Sequence, residues 1–251
     1  MKACVLASGS KGNATYIASS TTQLLIDLGI SCLNAERKLK DININPQNIK
    51  SILITHTHVD HINGLKVFIK KYNPIIYLTP SMYKELSAIM VINNYCFIED
   101  GMNIGDIKVE IIKTSHDTDD SNGYILTNEQ SSVVYITDTG YINKKFHSKL
   151  SNKSLYIMES NHDIDMLMNG SYPYAIKQRI LGDRGHLSNH DCSYYLKKLI
   201  GNKTKGIILS HLSEENNTES LAYNTLIDTL DQDIEKIIIA RQNERTELIE
   251  I

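Results

Sequence analysis

Four cysteines are few for 251 residues, and none stands in a CxxC pair: Cys4, Cys32, Cys96 and Cys192 are widely spaced. They argue against a disulfide framework and for reduced thiols in a cytoplasmic protein. Prolines are as sparse, four in all and scattered, and no stretch is rich in Gly and Ser. With no internal repeat or low-complexity block, nothing reads as a linker, and one domain over 1–251 is expected. No apolar run approaches the roughly 18 residues that cross a bilayer. The early run "ACVLA" breaks at Ser8-Gly9-Ser10, short of a secretory h-region, so neither a leader nor a membrane partner is expected. The net charge of −3 gives no global signal for polyanions.

What is present is ordinary for a globular protein: 41% hydrophobic and 22% charged residues, in a chain long enough to bury a sizeable core. Short β-rich runs come early, in "ACVLAS", "ATYIAS" and "TQLLIDLG". A helical pattern at "LNAERKLKDI" precedes the strand "SILITH", a helix over about 62–72, the strand "IIYLT" and a helix opened by Pro80. Strands return in "IKVEIIKT", "NGYILT", "SVVYITDTG" and "SLYIMES", followed by a helix over 189–200, "KGIILSH", a helix near 218–230, "KIIIA" and "TELIEI". This alternation predicts an α/β fold of packed mixed sheets with helices outside. Charge is uneven. Residues 141–205 hold eleven Lys/Arg against five Asp/Glu, leaving the remainder at −9. The segment reads either as a solvated lysine-rich face or as a surface attracting a polyanion.

The densest chemistry sits in "ILITHTHVDHINGL", where His56, His58, Asp60 and His61 fall within six positions at the mouth of a buried strand. His56 and His58, two apart on extended backbone, point to one side. Asp60 and His61 follow where the chain bends toward the next helix. Imidazole and carboxylate suit zinc, manganese or iron, and one such loop offers ligands to two adjacent ions. His116, Asp138 and His211 each end another apolar run before a polar turn, so they can converge with it on one sheet edge.

This pattern resembles the metallo-β-lactamase-fold superfamily, whose HxHxDH signature is matched by His56 to His61. The resemblance covers essentially the whole chain and implies a four-layer αββα sandwich of two mixed β-sheets. It also implies two divalent transition-metal ions, zinc or manganese. One would take His56, His58 and His116, the other Asp60, His61 and His211, with Asp138 bridging and Asp27 bracing the loop. "LYIMESNHD" and "GDRGHLSNHD" are similar to the paired Glu and His segments of tRNA-processing and related phosphodiesterases, putting Glu159 and His186 near the scissile phosphate. The spacing of about 73 positions between Asp138 and His211 leaves no room for an inserted nuclease domain. With "VLASGSKGNATYI", the compact pattern resembles the YycJ/WalJ (VicX) family of small proteins regarded as 5′-to-3′ DNA exonucleases.

That resemblance implies a hydrolase in which hydroxide, made available by two dications, attacks phosphorus. Asp60 is expected to orient the hydroxide as well as to ligate. His186, kept protonated by Glu159, is expected to give a proton to the departing 3′-oxygen. Ser8, Ser10, Gly12 and Asn13 form a polar, glycine-permitted loop that reads as a substrate-phosphate contact or as a plain turn. The partner implied is nucleic acid, DNA before RNA. Two other classes stand beside this one: a small-substrate hydrolase for thioesters, lactones or cyclic nucleotides, and a non-catalytic signalling partner. The basic segment favours polymeric phosphate.

Overall fold

A computed structural model describes residues 1–251. The first sheet is built from β1 (Lys2–Ala7), β2 (Ala14–Ala18), β3 (Gln23–Ile26), β4 (Ser51–Leu53), β5 (Ile75–Leu78) and β6 (Tyr95–Phe97). The second holds β7 (Met102–Ile104), β8 (Ile107–Lys113), β9 (Asn122–Thr127), β10 (Ser132–Ile136), β11 (Leu155–Glu159), β12 (Gly206–Ser210) and β13 (Lys236–Ile239). β14 (Ile249–Glu250) returns to the first sheet beside β1, so each sheet has seven strands.

Successive residues of a strand face opposite ways, and here both faces are buried. Ala3, Val5, Leu24 and Ile26 join Val109, Leu126, Tyr135, Ile157 and Ile208 in the layer between the sheets. Their neighbours Cys4, Leu6 and Leu25 pack outward on α1 (Cys32–Lys40), α3 (Leu65–Tyr72) and α4 (Pro80–Ser87). α2 is the single turn Val59–Ile62. On the other side, Val134, Tyr156 and Ile207 pack outward against Leu150 of α5 (His147–Leu150), Leu196 of α8 (Asn189–Leu199) and Leu226 of α9 (Glu219–Thr229). Two short helices, α6 (Ile164–Asn169) and α7 (Tyr174–Leu181), complete the chain. The result is the expected αββα sandwich. No helix is long and apolar enough to cross a membrane.

Strand direction places the chemistry. β3, β4, β5 and β6 pair in parallel, as do β10, β11, β12 and β13. Their carboxyl ends therefore share one edge, where α/β sheets gather their ligands. β8 and β10 are both antiparallel to β9, so β8 also ends there.

Several elements differ from expectation. The helix over 62–72 is interrupted at Asn63 and Gly64, and Gly64 lies so close to Ile30 that a Cβ there would meet the Ile30 carbonyl oxygen at 2.1 Å. Asp60 and His61 sit within the preceding turn α2 instead of ahead of the helix. "TELIEI" pairs only over Ile249–Glu250, since Thr246 bonds Val5 through its hydroxyl and its amide. β6, β7, α6 and α7 had no counterpart in the sequence reading.

Candidate metal centre

Three of the residues that frame the site leave their strands in the left-handed region: Asp27 at φ 59°, Asp138 at φ 54° and His211 at φ 56°. Non-glycine residues adopt this conformation at a cost that surrounding structure must hold. Here it turns each side chain off its strand toward a common point.

Asp27 is fully buried below the histidine loop. Its Oδ1 accepts the Thr55 amide at 2.8 Å, and its Oδ2 accepts the Thr55 hydroxyl and His61 Nδ1, both at 2.7 Å. Pinning Nδ1 leaves His61 Nε2 facing the centre, 3.2 Å from Asp138 Oδ2 and 3.4 Å from Asp60 Oδ2. Glu159 serves His211 in the same way: its Oε1 accepts His211 Nδ1 at 2.8 Å, leaving Nε2 at 3.5 Å from Asp138 Oδ1. A carboxylate behind a ligating imidazole fixes both tautomer and ring orientation.

The donor atoms of His56, His58 and His116 lie within 4.8 Å of one another, and so do those of Asp60, His61 and His211. Asp138 stands between the two groups, with Oδ1 3.8 Å from His116 Nε2. His56 Nε2, His211 Nε2 and Asp138 Oδ2 are buried and make no hydrogen bond; Asp138 Oδ2 is near His61 but poorly aligned with it. Unsatisfied buried polar atoms are costly unless another partner completes them. Nitrogen and oxygen donors converging from two sides are what divalent transition ions require. The residues fit the metal.

The electrostatics are those of a dense charge cluster. Burial pushes the Asp138 carboxyl up, but the His211 and His61 imidazoles overcome this and hold it well below the usual range. Burial likewise opposes ionisation of Glu159, yet His186 and His211 bring it down to about 2. Burial lowers His56, and the neighbouring His61 lowers it further, so that imidazole is neutral and free to donate a lone pair.

Glu159 Oε1 also accepts His186 Nδ1 at 2.7 Å, while Oε2 accepts the Thr139 amide at 3.0 Å and the Leu187 amide at 3.2 Å. Burial alone would lower His186, but the Glu159 carboxylate raises it above its ordinary value. His186 lines a cleft of about 230 Å³ together with Ser10, His58, Asp60, His116, Asp138 and His211. A larger cavity, about 820 Å³ beside Ser19, Gln23 and Asp106, contains no histidine; its size does not make it the site.

Of the loop after β1, only Ser10 faces this cleft. Ser8 and Asn13 are buried. Ser8 Oγ accepts the His211 amide at 2.6 Å, and Asn13 Nδ2 lies 3.1 Å from Asp60 Oδ2 and 3.0 Å from His61 Nε2. These two side chains brace the cluster and leave no surface for substrate.

Two arginines beside the His116 loop had no individual place in the sequence reading. Arg179 of α7 reaches across to pair with Asp117, whose Oδ1 lies 3.2 Å from His116 Nε2. Arg184 donates to the carbonyls of His116 at 2.9 Å and Thr118 at 3.2 Å, strapping the loop that carries His116. Lys177 donates to the Met168 and Gly170 carbonyls, Lys197 pairs with Asp231 and Lys149 with Asp100. Five of the eleven cations of 141–205 are thus engaged within the protein, and the segment is not one continuous basic face.

Known proteins resemble this chain in sequence or in fold. The chain is 38% identical over 238 residues to exodeoxyribonuclease WalJ of Streptococcus pneumoniae serotype 2, covering 92% of this chain and 88% of the relative. It is 35% identical over 233 residues to exodeoxyribonuclease YycJ of Bacillus anthracis, covering 91% and 88%. The metallo-β-lactamase-fold protein YhfI from Bacillus subtilis superposes with a TM-score of 0.73 over 98% of this chain and 99% of its own, at 14% identity. The family model described as the beta-lactamase superfamily domain matches residues 22–211, from ahead of Asp27 to the last histidine of the cluster. On that match and those relatives, the chain belongs to the beta-lactamase superfamily.

Proposed function

We propose that this chain is a metal-dependent phosphodiesterase acting on nucleic-acid ends, specifically a DNA exonuclease digesting from the 5′ side. The observation that carries this is the Glu159–His186 pair, 2.7 Å apart, at the wall of the cleft that holds the donor cluster. The relatives' names support DNA as the polymer; the direction follows the resemblance read from the sequence.

Two divalent ions, zinc or manganese, would be held by His56, His58 and His116 and by Asp60, His61 and His211, with Asp138 shared. When bound, they supply Lewis acidity toward a phosphate and hydroxide near neutral pH. His186 has Nδ1 committed to Glu159, which leaves Nε2 to hold a proton toward the cleft. That proton goes to the departing 3′-oxygen as the phosphodiester breaks, a contribution on the order of 10²–10⁴-fold. Glu159, fully buried and ionised, keeps His186 charged until transfer. Asp60, one oxygen near His61, orients the attacking group, and Ser10 offers a hydroxyl at the cleft mouth. The four free thiols support a cytoplasmic site of action.

End-labelled linear DNA, closed circular DNA, RNA, a small phosphodiester and a thioester, assayed with zinc and with manganese, test the reading together. Linear DNA should release its 5′ label at once as mononucleotide while a 3′-labelled strand shortens progressively. Circles cleaved as fast as linear DNA, or turnover of the thioester alone, would overturn it.

A further inference from the structure

Next to the cleft lies a second concavity that the proposed chemistry does not use. It measures about 190 Å³, and its lining includes Lys113, Ser115, Tyr141, Asn143, Lys145 and Phe146. Its relation to the cleft is direct. Ser115 lines this groove and His116, the next residue, lines the cleft; Tyr141 lines the groove and Asp138, three residues earlier, lines the cleft.

The two loops form one rigid shoulder. The Gly140 amide donates to the Ser115 carbonyl at 2.9 Å, the Ser115 amide to Thr139 Oγ1 at 3.0 Å, and Thr139 Oγ1 to the Tyr141 carbonyl at 2.8 Å. The 182–185 turn closes on the shoulder from behind: a Cβ on Gly140 would lie 2.3 Å from the Asp183 carbonyl oxygen. Groove and cleft are therefore held in fixed register.

The lining combines cation and aromatic surface. Lys113 is held by Asp120. Lys145 instead stands with Nζ 4.9 Å from the centroid of Phe146. Tyr141 is 40% exposed and belongs to none of the three buried apolar layers. A cation beside an aromatic face is what single strands select, the phosphate meeting the charge and the base stacking on the ring.

We propose that this groove binds one nucleotide of a single-stranded segment of the substrate, with Tyr141 stacking the base and Lys145 meeting the phosphate. The strand crosses the Ser115–Tyr141 shoulder as it passes between groove and cleft. The proposal rests on the phosphodiesterase reading above and adds a subsite to it.

The test uses the full metal-loaded protein and two readouts. One is binding of a fluorescein-labelled phosphorothioate oligonucleotide, which resists cleavage; the other is turnover of a small phosphodiester that cannot span both sites. Tyr141→Ala with Lys145→Ala should weaken oligonucleotide binding roughly five- to hundred-fold. Lys145→Ala alone should reduce the slope of log affinity against log salt by about 0.7. Tyr141→Phe and Lys145→Arg should each retain binding, and small-phosphodiester turnover should stay at the wild-type rate throughout. Wild-type binding by the double variant overturns the proposal. So does an equal loss of small-phosphodiester turnover, which would make these residues supports of the shoulder. If the wild type binds with these signatures but cleaves no phosphodiester, the groove stands and the exonuclease reading falls.

Discussion

Replacing Glu159 with glutamine removes a charge without changing size, and the structure makes the outcome calculable. Glu159 accepts four hydrogen bonds, two imidazoles on Oε1 and two amides on Oε2. An amide has one oxygen and one NH₂. If its oxygen faces His186 and His211, the NH₂ points at the Thr139 and Leu187 amides, donor against donor. If it is flipped, the NH₂ meets the two Nδ1 atoms and drives the histidine protons onto Nε2. That is the nitrogen His211 turns toward Asp60 and Asp138. Either way two charge-assisted bonds are lost in a buried site, at roughly 1.5–3 kcal/mol each. About 3–6 kcal/mol is a large share of a typical domain's stability. Metal affinity should fall roughly 10- to 100-fold as well, because the support behind His211 is gone. Urea unfolding and metal competition titrations on Glu159→Gln measure both. A variant with wild-type stability and affinity, losing turnover alone, would refute the argument that Glu159 serves His211 and His186 together.

His186→Ala should separate from this: turnover falls on the order of 10²-fold or more, while elemental analysis finds the wild-type metal content. Loss of metal would make His186 a ligand instead. Asp138→Ala should lower the metal content below that of the wild type, for which the proposed centre would hold two per chain, and chelation of the wild type should lower its melting temperature as well as its activity; full activity in excess chelator would end the metal reading. His162 is buried with neither ring nitrogen bonded, and burial brings it from 6.5 down to about 4 despite the Glu159 charge. Its neutral form is the one the fold favours, so its contribution is intact above pH 6.5. It is lost as pH falls toward about 4, amounting to about 3 kcal/mol. Unfolding curves for His162→Leu should show a correspondingly shallower loss in that window; an unchanged acid slope would place the titration elsewhere.

The site was legible in the sequence to the extent that buried parallel strands are. Such strands read as unbroken apolar runs, so the polar residue ending each one stands out, and Asp27, Asp138, Glu159 and His211 are all of this kind. What stayed hidden depends on approach between distant segments. The chain order gives no sign that Glu159 reaches His211, 52 positions away, as well as His186. Nor does it say that Asn13, in a loop shaped like an open phosphate cradle, is already claimed by Asp60 and His61. α6 and α7 are short, with Ile164, Met168 and Tyr174 exposed, so neither carries the apolar stripe that marks a helix. The role of Arg179 depends on α7 lying across from Asp117, 62 positions away in the chain.

The division of the donor set between the two sheets has a further meaning for how the protein comes to exist. His56, His58, Asp60 and His61 follow β4 in one sheet; His116, Asp138 and His211 follow β8, β10 and β12 in the other. Neither half holds either triad complete, so an ion would find its full coordination only after the sheets have docked. Affinity for metal would then be a gauge of how tightly the sandwich is shut, and substitutions between the sheets at residues that offer no donor atom, such as Val109 or Leu126, would register as metal loss. An ion held there would, in turn, act as a rivet between the two halves.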